Sequence, residues 1–585
     1  MDKFPDWAEG LIAGTSPGQH PHALNLVLKL ADPARLPLML LDVATSQPII
    51  QRALNDLSFL HFARFLPSWD GSALVVVTEF DGPLKPYVMD FVIALGEVFN
   101  KLLSYVEEPP PLPVQQYPDE FWTYVEKWNR VPYAPRSGNS TGNVFPPDFD
   151  YPVYSAYPTR TVVDIAGPRD PATDGLRPAP DRRAAKVHLA DVQGNILRGF
   201  HAWKATHLML QVTDAATARV WLAGLPVQDS RPWGDTKPKH ALLNVAFTFE
   251  GLQALLPTRS EDLARFPQAF REGPAQRAAG NGDAADSAPA LWRFGGSVTR
   301  PVHVLLSLYG LKPPASADYA ADVARLTAGA AANGLALVHS ENAQALEDDR
   351  IYFDYRDGIT DPRIAGQRLP AGRRLSMQPA SSPGEFLLGP GYDSIYGGES
   401  LPRHMPPDLA RNGCFGALRL IEQDVARFEQ VTAGLAAQFG GRPSDAAARL
   451  LGRWPDGQPL SQHRSDPGPL PPGIMPRNDF DYAPNWEYPG EPLDHDGRRC
   501  PLDAHIRRTN ARSHRAPGVR HTRRLLRRGM PAQWKDGEAD RKGLMGLFLC
   551  ADLERQFEFI QRQWVQGGES GLSDPIAGQI GKSVV

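Results

Sequence analysis

THLMLQVTDAATARVWLAGL (206–225) holds the pattern from which the fold is read. THLMLQV is a short apolar run that reads as a strand. AATARVWLAGL carries apolar residues at helical spacing and reads as a helix. The rhythm then repeats. HALLNVAFTF is a strand, GLQALL a short helix and VHVLLSLYG a strand, followed by a helix near 317–333 and a strand at LALVHS. From Gly413 a second unit has the same rhythm: strand CFGALRLI, helix QDVARFEQVTAGLAAQF, strands TRRLLRR and MGLFLCA, and the long amphipathic helix DLERQFEFIQRQWV. Strand–helix–strand units of this kind lay helices on one face of an antiparallel sheet, which is an α+β architecture.

The N-terminal part has a similar pattern. HALNLVLKL, LNDLSFLHFARFL and SALVVVTEF read as strands, and YVMDFVIALGEVFNKLLSYV as a helix. EEPPPLPVQQYP then breaks all periodicity, and proline stiffens such a segment. The expected organisation is an α+β unit over 1–107, a Pro-rich connector over 108–186 with one helix at DEFWTYVEKWN, and two further units over 187–410 and 411–585. A chain of 585 residues is too long for one hydrophobic core, and about two to four domains are expected. Pro, Gly, Asp and Asn dominate between Pro455 and Arg499; a loop that long inside a domain usually serves or covers a site.

Composition excludes several classes. Apolar content of 42% is globular, and a net charge of −4 gives no electrostatic footprint for nucleic acid or an anionic membrane. No apolar run reaches the ~18 residues of a membrane helix. Cys414, Cys500 and Cys550 are far apart, with no CxxC pair and no disulfide framework, which favours a reducing compartment. The N-terminus has no basic region followed by an apolar one. A cytoplasmic protein is the expectation.

Chemistry is concentrated in a few stretches. FDYRDGITDP (353–362) places three acids and an arginine in a turn-rich segment after an apolar lead-in. The plain reading is a loop whose aspartates cap backbone groups; the sharper one is an acid held at a pocket mouth. ADVQGNILRGF (190–200) bears Asn195 and Arg198 in another turn-rich segment. CPLDAHIRRTNAR (500–512) places His505 between Ala504 and Ile506. With 15 histidines in the chain, a lone one is usually structural. Zinc is disfavoured, because no second His or Cys stands at ligand spacing. Cys500 could offer a thiolate, although a buried thiol is the plainer reading. On a strand over TRRLLRRGM (522–530), Arg523 and Arg527 would share one face, Arg524 and Arg528 the other. A buried cation needs an anionic partner, whereas an edge strand would simply be solvated.

Together, in this order, these segments resemble the dye-decolorizing peroxidase family of haem proteins. ADVQGNILRGF is similar to the family's opening Asp-x-Gln-Gly segment, and DYRDGITDP to its Gly-x-x-Asp-Gly motif. GEFLLG (384–389), RNGCFGALRLIEQDVARF (411–428), LLGRWPDGQPL (450–460), CPLDAHIRRTN and ADLERQFEFIQRQW (551–564) resemble later blocks. The resemblance covers roughly 187–585. It implies tandem ferredoxin-like units of the dimeric α+β barrel type around haem b (iron protoporphyrin IX), with the N-terminal α+β unit as an extra.

The resemblance further implies His505 as proximal iron ligand, Asp357 as distal acid–base group and Arg527 as distal charge stabiliser, with Arg528 the alternative if the register slips by one. Asp552 or Glu554 is expected to accept from the other His505 nitrogen, and Arg507, Arg508 and Arg512 to meet haem propionates. The partners are H2O2 and a reducing substrate such as a dye or phenol, with no nucleic acid and no membrane; a homo-oligomer is compatible with it. Trp534, Trp564 and Tyr352 are candidate electron relays by residue type. A carboxylate base, with a reference pKa of about 3.9 against about 6.5 for histidine, implies activity that persists into acid. Two other readings are a haem-binding protein without peroxidase turnover, for storage, sensing or iron handling, and an interaction protein with a decayed haem site. One departure bears on the distal loop: Asp354 stands where the family motif begins with glycine, which would allow positive φ.

Overall fold

Alternation of buried and outward residues builds the first sheet. In β1 (Pro21–Lys29), Leu24, Leu26 and Leu28 are buried, while Asn25 and Val27 between them are half-exposed. β3 (Ala73–Asp81) buries Leu74, Val76 and Phe80 in the same rhythm. β2 (Leu60–Pro67) pairs with β3, giving the antiparallel order β1-β3-β2. Helix α1 (Leu36–Thr45) links β1 to β2, and α2 (Leu84–Leu103) follows β3. Val92, Leu95, Val98, Phe99 and Leu102 of α2 are buried, and the ring of Tyr87 stacks on Phe80 at 3.6 Å. Helix α3 (Pro118–Trp128), the helix expected inside the connector, packs on α2 and β1. Asn129 at its end accepts from the backbone of Asn25 at 2.9 Å.

This is a computed structural model. It describes residues 21–47, 49–50, 60–81, 84–129, 187–197, 199–233, 238, 241–311, 316–362, 364, 381–389, 392, 405–471, 474–478, 480–482, 494, 497–510, 512, 523–566 and 573–578. Arg198 and connector residues 130–186 lie outside them. The chain divides into two compact units, the first being Met1–Asp181, Asp481–Asp496 and Ala511–Thr522, the second the remainder.

The second unit is built on one seven-stranded sheet, in the order β5-β6-β4-β7-β9-β10-β8. Its strands are β4 (Lys204–Val212), β5 (Leu242–Phe247), β6 (Val304–Gly310), β7 (Leu335–Gln344), β8 (Phe415–Glu422), β9 (Leu526–Asp536) and β10 (Ala539–Cys550). β4 through β7, with α4 (Ala215–Ala223) and α6 (Ser316–Ala332), form one ferredoxin-like arrangement. Helix α5 (Phe249–Leu255) covers the same side. β8 and α7 (Val425–Phe439), followed by β9 and β10, begin a second. The two meet at β7 and β9, where Ala343 pairs with Ala532. The expected tandem ferredoxin-like α+β fold is therefore present, with an extra N-terminal α+β unit.

Period-two alternation gives this sheet two apolar faces. Leu208, Leu210, Leu306 and Leu335 pack under the helices with Ala218, Leu255 and Ala330. Ala205, Met209, Tyr309, Ala343, Ala532 and Met545 line the other face. Two local readings differ. Strand β9 begins only at Leu526, because Arg523 has φ 54° and breaks the extended run. The expected alternation of four arginines therefore holds only for Arg527 and Arg528. The last helix runs as wide, π-type turns over Leu553–Glu558 and Ile560–Val565.

Candidate active site

The loop bearing Asp357 is pinned from both sides. Ile351 N–H donates to Tyr355 O, Arg356 N–H to Pro455 O, and Asp357 N–H to Asp349 O, each at 2.9 Å. Asp354 has φ 62° and Gly358 φ 72°. Asp354 therefore adopts the left-handed conformation that the motif glycine would supply, which Asp tolerates better than most residues. Its carboxylate is exposed and faces Arg350, whose Nη1 donates to Asp354 O at 2.6 Å and Oδ1 at 3.3 Å. The departure from glycine leaves the turn intact. Ile359 packs where a Cβ on Gly457 would stand, 2.3 Å from its Cδ1.

Strand β9 delivers the arginine. Arg527 Nη1 lies 3.9 Å from Asp357 Oδ1, and its Nη2 bonds to Thr360 Oγ1. Both charged side chains are part-exposed, at 38% and 45%. Arg528 points to the opposite face. It donates to Asn195 O at 2.6 Å, Ile196 O at 2.9 Å and Asp361 Oδ2 at 2.8 Å. It is Arg527, therefore, that adjoins Asp357. Asp361, one of the three acids of that segment, is the ion-pair partner of Arg528.

His505 opens a short helix, α8 (His505–Thr509). Its Nδ1 bonds to Asp574, 3.0 Å from Oδ1 and 3.1 Å from Oδ2. The acceptor is thus Asp574, not Asp552 or Glu554. Asp552 instead caps the following helix by accepting from Arg555 N at 2.9 Å, and Glu554 lies 3.5 Å from Arg277. Asp574 is fully buried and also accepts from the N–H groups of Ile576 and Ala577 at 2.9 Å. Burial pushes its carboxyl up, but the His505 imidazole and these N–H groups outweigh that and hold it below the usual range. No signal in the sequence near 574 pointed to this pair; only the fold brings them together.

Arg507 and Arg508 are wholly buried. Arg507 Nη1 donates to Cys500 O at 2.6 Å, Arg508 Nε to Trp564 O at 2.7 Å and Arg508 Nη1 to Asp503 Oδ1 at 3.3 Å. These contacts hold the chain around His505. Arg512 is also buried. Cys500 is buried against the same segment, as the plainer reading of that thiol expected. One apolar cluster supports both sides of the site. Tyr355, Leu451 and Ala447 pack with Phe353, Phe428 and Ile576, so the loop bearing Asp357 and the segment bearing Asp574 share it.

A haem would require a neutral imidazole with one free nitrogen. His505 fits: Nδ1 is committed to Asp574, and among the described residues nothing bonds to Nε2. A cleft of about 580 Å³ opens on the Arg527 face of β9, lined among others by Tyr319, Asn342, Gln344, Tyr352 and Gln533. Trp564 is buried, while Tyr352 and Trp534 are half-buried.

No family profile matches the chain. It is similar to Peroxidase 2 of Mycetinis scorodonius, 29% identical over 403 residues that cover 65% of this chain and 73% of that protein. It is also similar to the multifunctional dye peroxidase DyP2 of an Amycolatopsis species, 28% identical over 440 residues covering 68% and 86%. The crystal structure of a fungal DyP-type peroxidase from Auricularia auricula-judae shares the fold, with a TM-score of 0.55 at 24% identity, over 68% of this chain and 89% of that one.

Over about two thirds of its length the chain is thus similar in sequence to dye-decolorizing peroxidases, which are haem-dependent oxidoreductases, and it shares their fold. Among the described residues no helix is long and apolar enough to cross a membrane.

Proposed function

We propose that this chain is a haem-dependent dye-decolorizing peroxidase that uses Asp357 to move the proton of H2O2, Arg527 to stabilise the charge that develops, and His505 Nε2 to hold haem b. The observation that carries this reading is the 3.9 Å approach of Arg527 to Asp357. A part-exposed ion pair of this kind contributes only about 0–1 kcal/mol to stability, so its worth lies elsewhere. An acid and a cation facing one small volume suit peroxide. Asp357 takes the proton from one oxygen and returns it to the other, which leaves as water. Arg527 supplies fixed positive charge where the departing oxygen becomes negative. Haem, when bound, supplies the electrons that split the O–O bond and afterwards takes single electrons from the reductant. Asp574 fixes the ring orientation of His505 and strengthens it as a donor.

Dyes and phenols are the proposed reductants, and the cleft beside Tyr352 gives such a molecule an apolar wall with amide groups at its rim. The three free cysteines fit a reducing compartment. The test is to add haem, record the Soret band, then add H2O2 with a dye. A Soret band and dye bleaching, with bleaching abolished by Asp357→Asn, support the reading. A Soret band with no bleaching leaves a haem-binding protein without turnover.

A further inference from the structure

The register of the sheet sets out the floor of the cleft beside Tyr352. β4, β7 and β9 are neighbours. Lys204 pairs with Gln344 and Thr206 with Asn342, and the Ala343–Ala532 pair carries these rows on to Pro531 and Gln533. Alternate residues of a strand share a face. Lys204, Gln344 and Pro531 therefore form one row of the floor, and Thr206, Asn342 and Gln533 the next; all six line the cleft. Tyr319 of α6 and Tyr352 stand among its walls.

Charge in this cleft has one sign. Among the described residues that line it, none is acidic. Lys204 is half-buried there, and no ion pair among the described residues engages it. Lys542 pairs with Gln533 and so continues the second row; its Nζ lies 5.5 Å from the centre of the Tyr352 ring. The amide next to Lys204 is also oriented. Thr206 Oγ1 donates to Asn342 Oδ1 at 2.8 Å, and Tyr319 OH lies 3.0 Å from the same hydroxyl. With its oxygen committed to Thr206, Asn342 offers the cleft its NH2 group, which is a donor. Lys204 and Asn342 are diagonal neighbours on paired strands, roughly 7–8 Å apart. A carboxylate or sulfonate can meet a donor on each side across such a span.

We propose that this cleft selects aromatic reductants that carry a carboxylate or sulfonate, with Lys204 and Asn342 holding the anionic group and the ring lying on the apolar wall. The inference rests on the peroxidase reading above and names the substrate class of that site. Pro531 is four residues along β9 from Arg527 and on the same face, a distance of roughly 13 Å. A phenol bound there gives one electron to the oxidised cofactor and its phenolic proton to water at the open mouth. Two such phenols supply the two electrons that one H2O2 takes up in becoming two waters. Each leaves as a phenoxyl radical with its anionic group intact.

The test gives the full-length, haem-loaded protein H2O2 and three methoxyphenols built on one ring, which carry a carboxylate, a sulfonate or no charge. The expected result is a lower KM for the two anions than for the uncharged ring. Lys204→Gln raises the KM of the anions roughly fivefold relative to the uncharged ring, the size of one solvent-screened charge contact. Lys204→Glu raises it further, and Lys204→Arg restores the preference. Salt at 1 M, where the screening length falls to ~3 Å from ~10 Å at 0.1 M, removes the preference in wild type. An effect on one anion only supports the cleft and names that group as its ligand. Equal KM values for charged and uncharged rings, or a preference that survives Lys204→Glu, overturn the inference alone. A wild-type protein that oxidises none of the three overturns the peroxidase reading and this inference with it.

Discussion

Replacing Asp574 by Asn removes one charge from beneath His505 without changing the shape of the side chain. In the folded protein Oδ1 accepts from the N–H groups of Ile576 and Ala577, and both oxygens adjoin His505 Nδ1. An amide can keep Oδ1 in place, but its NH2 group then faces the imidazole N–H at the position of Oδ2, 3.1 Å away. Two donors face each other, so the ring is driven to carry its proton on Nε2, the nitrogen proposed to hold iron. Hydrogen bonds to charged groups contribute roughly 1.5–3 kcal/mol, so the apo-protein should lose about 2 kcal/mol in guanidinium unfolding. Loss of such an outer partner typically weakens metal affinity or activity by about 10–100-fold. Titrating the apo-variant with haem and following the Soret band measures this directly. If Asp574→Asn bound haem as tightly as wild type, with an unchanged spectrum, Asp574 would not be the group that orients the ligand.

Glu385 is buried, and burial raises its pKa from 4.5 to about 7, against the pull of Arg524. The folded state keeps the proton that the unfolded state releases, so stability is fully present below about 4.5 and lost as pH rises to about 7. At 1.36 kcal/mol for each tenfold change in proton affinity, the loss is about 3 kcal/mol. The stability advantage of Glu385→Gln over wild type should grow by that amount between acid and mildly alkaline pH; a constant difference would refute it. At Asp354, exchange for Gly removes a left-handed cost of roughly 1–2 kcal/mol and an exposed ion pair of about 0.2–1 kcal/mol, so denaturation should show a small gain. Asp354→Val should cost at least about 1 kcal/mol in the same assay. A Cβ at Gly452, which has φ 93°, would lie 2.5 Å from Ile506 Cγ1, so Gly452→Ala should cost roughly 1–3 kcal/mol and weaken haem binding at the neighbouring His505.

Strands and helices whose apolar residues repeat cleanly were legible. THLMLQV and AATARVWLAGL became β4 and α4 because burial of alternate or every third to fourth residue is a local property of the chain. TRRLLRR was read too early as strand, since the left-handed turn at Arg523 has no signature in an arginine-rich run. Asp357 and Arg527 are legible from the motif that the chain resembles rather than from periodicity, and the fold brings them within 3.9 Å of each other. Asp574 was missed because its partner is 69 residues away in sequence and the segment around it reads as an ordinary turn.

The central claim is that Asp357 moves the peroxide proton beside Arg527. Stopped-flow mixing of haem-loaded protein with H2O2, followed at the Soret band, tests it most directly. Asp357→Asn should slow the peroxide reaction by roughly 10²–10⁴-fold while leaving haem binding intact. A variant that reacts with peroxide as fast as wild type would contradict it.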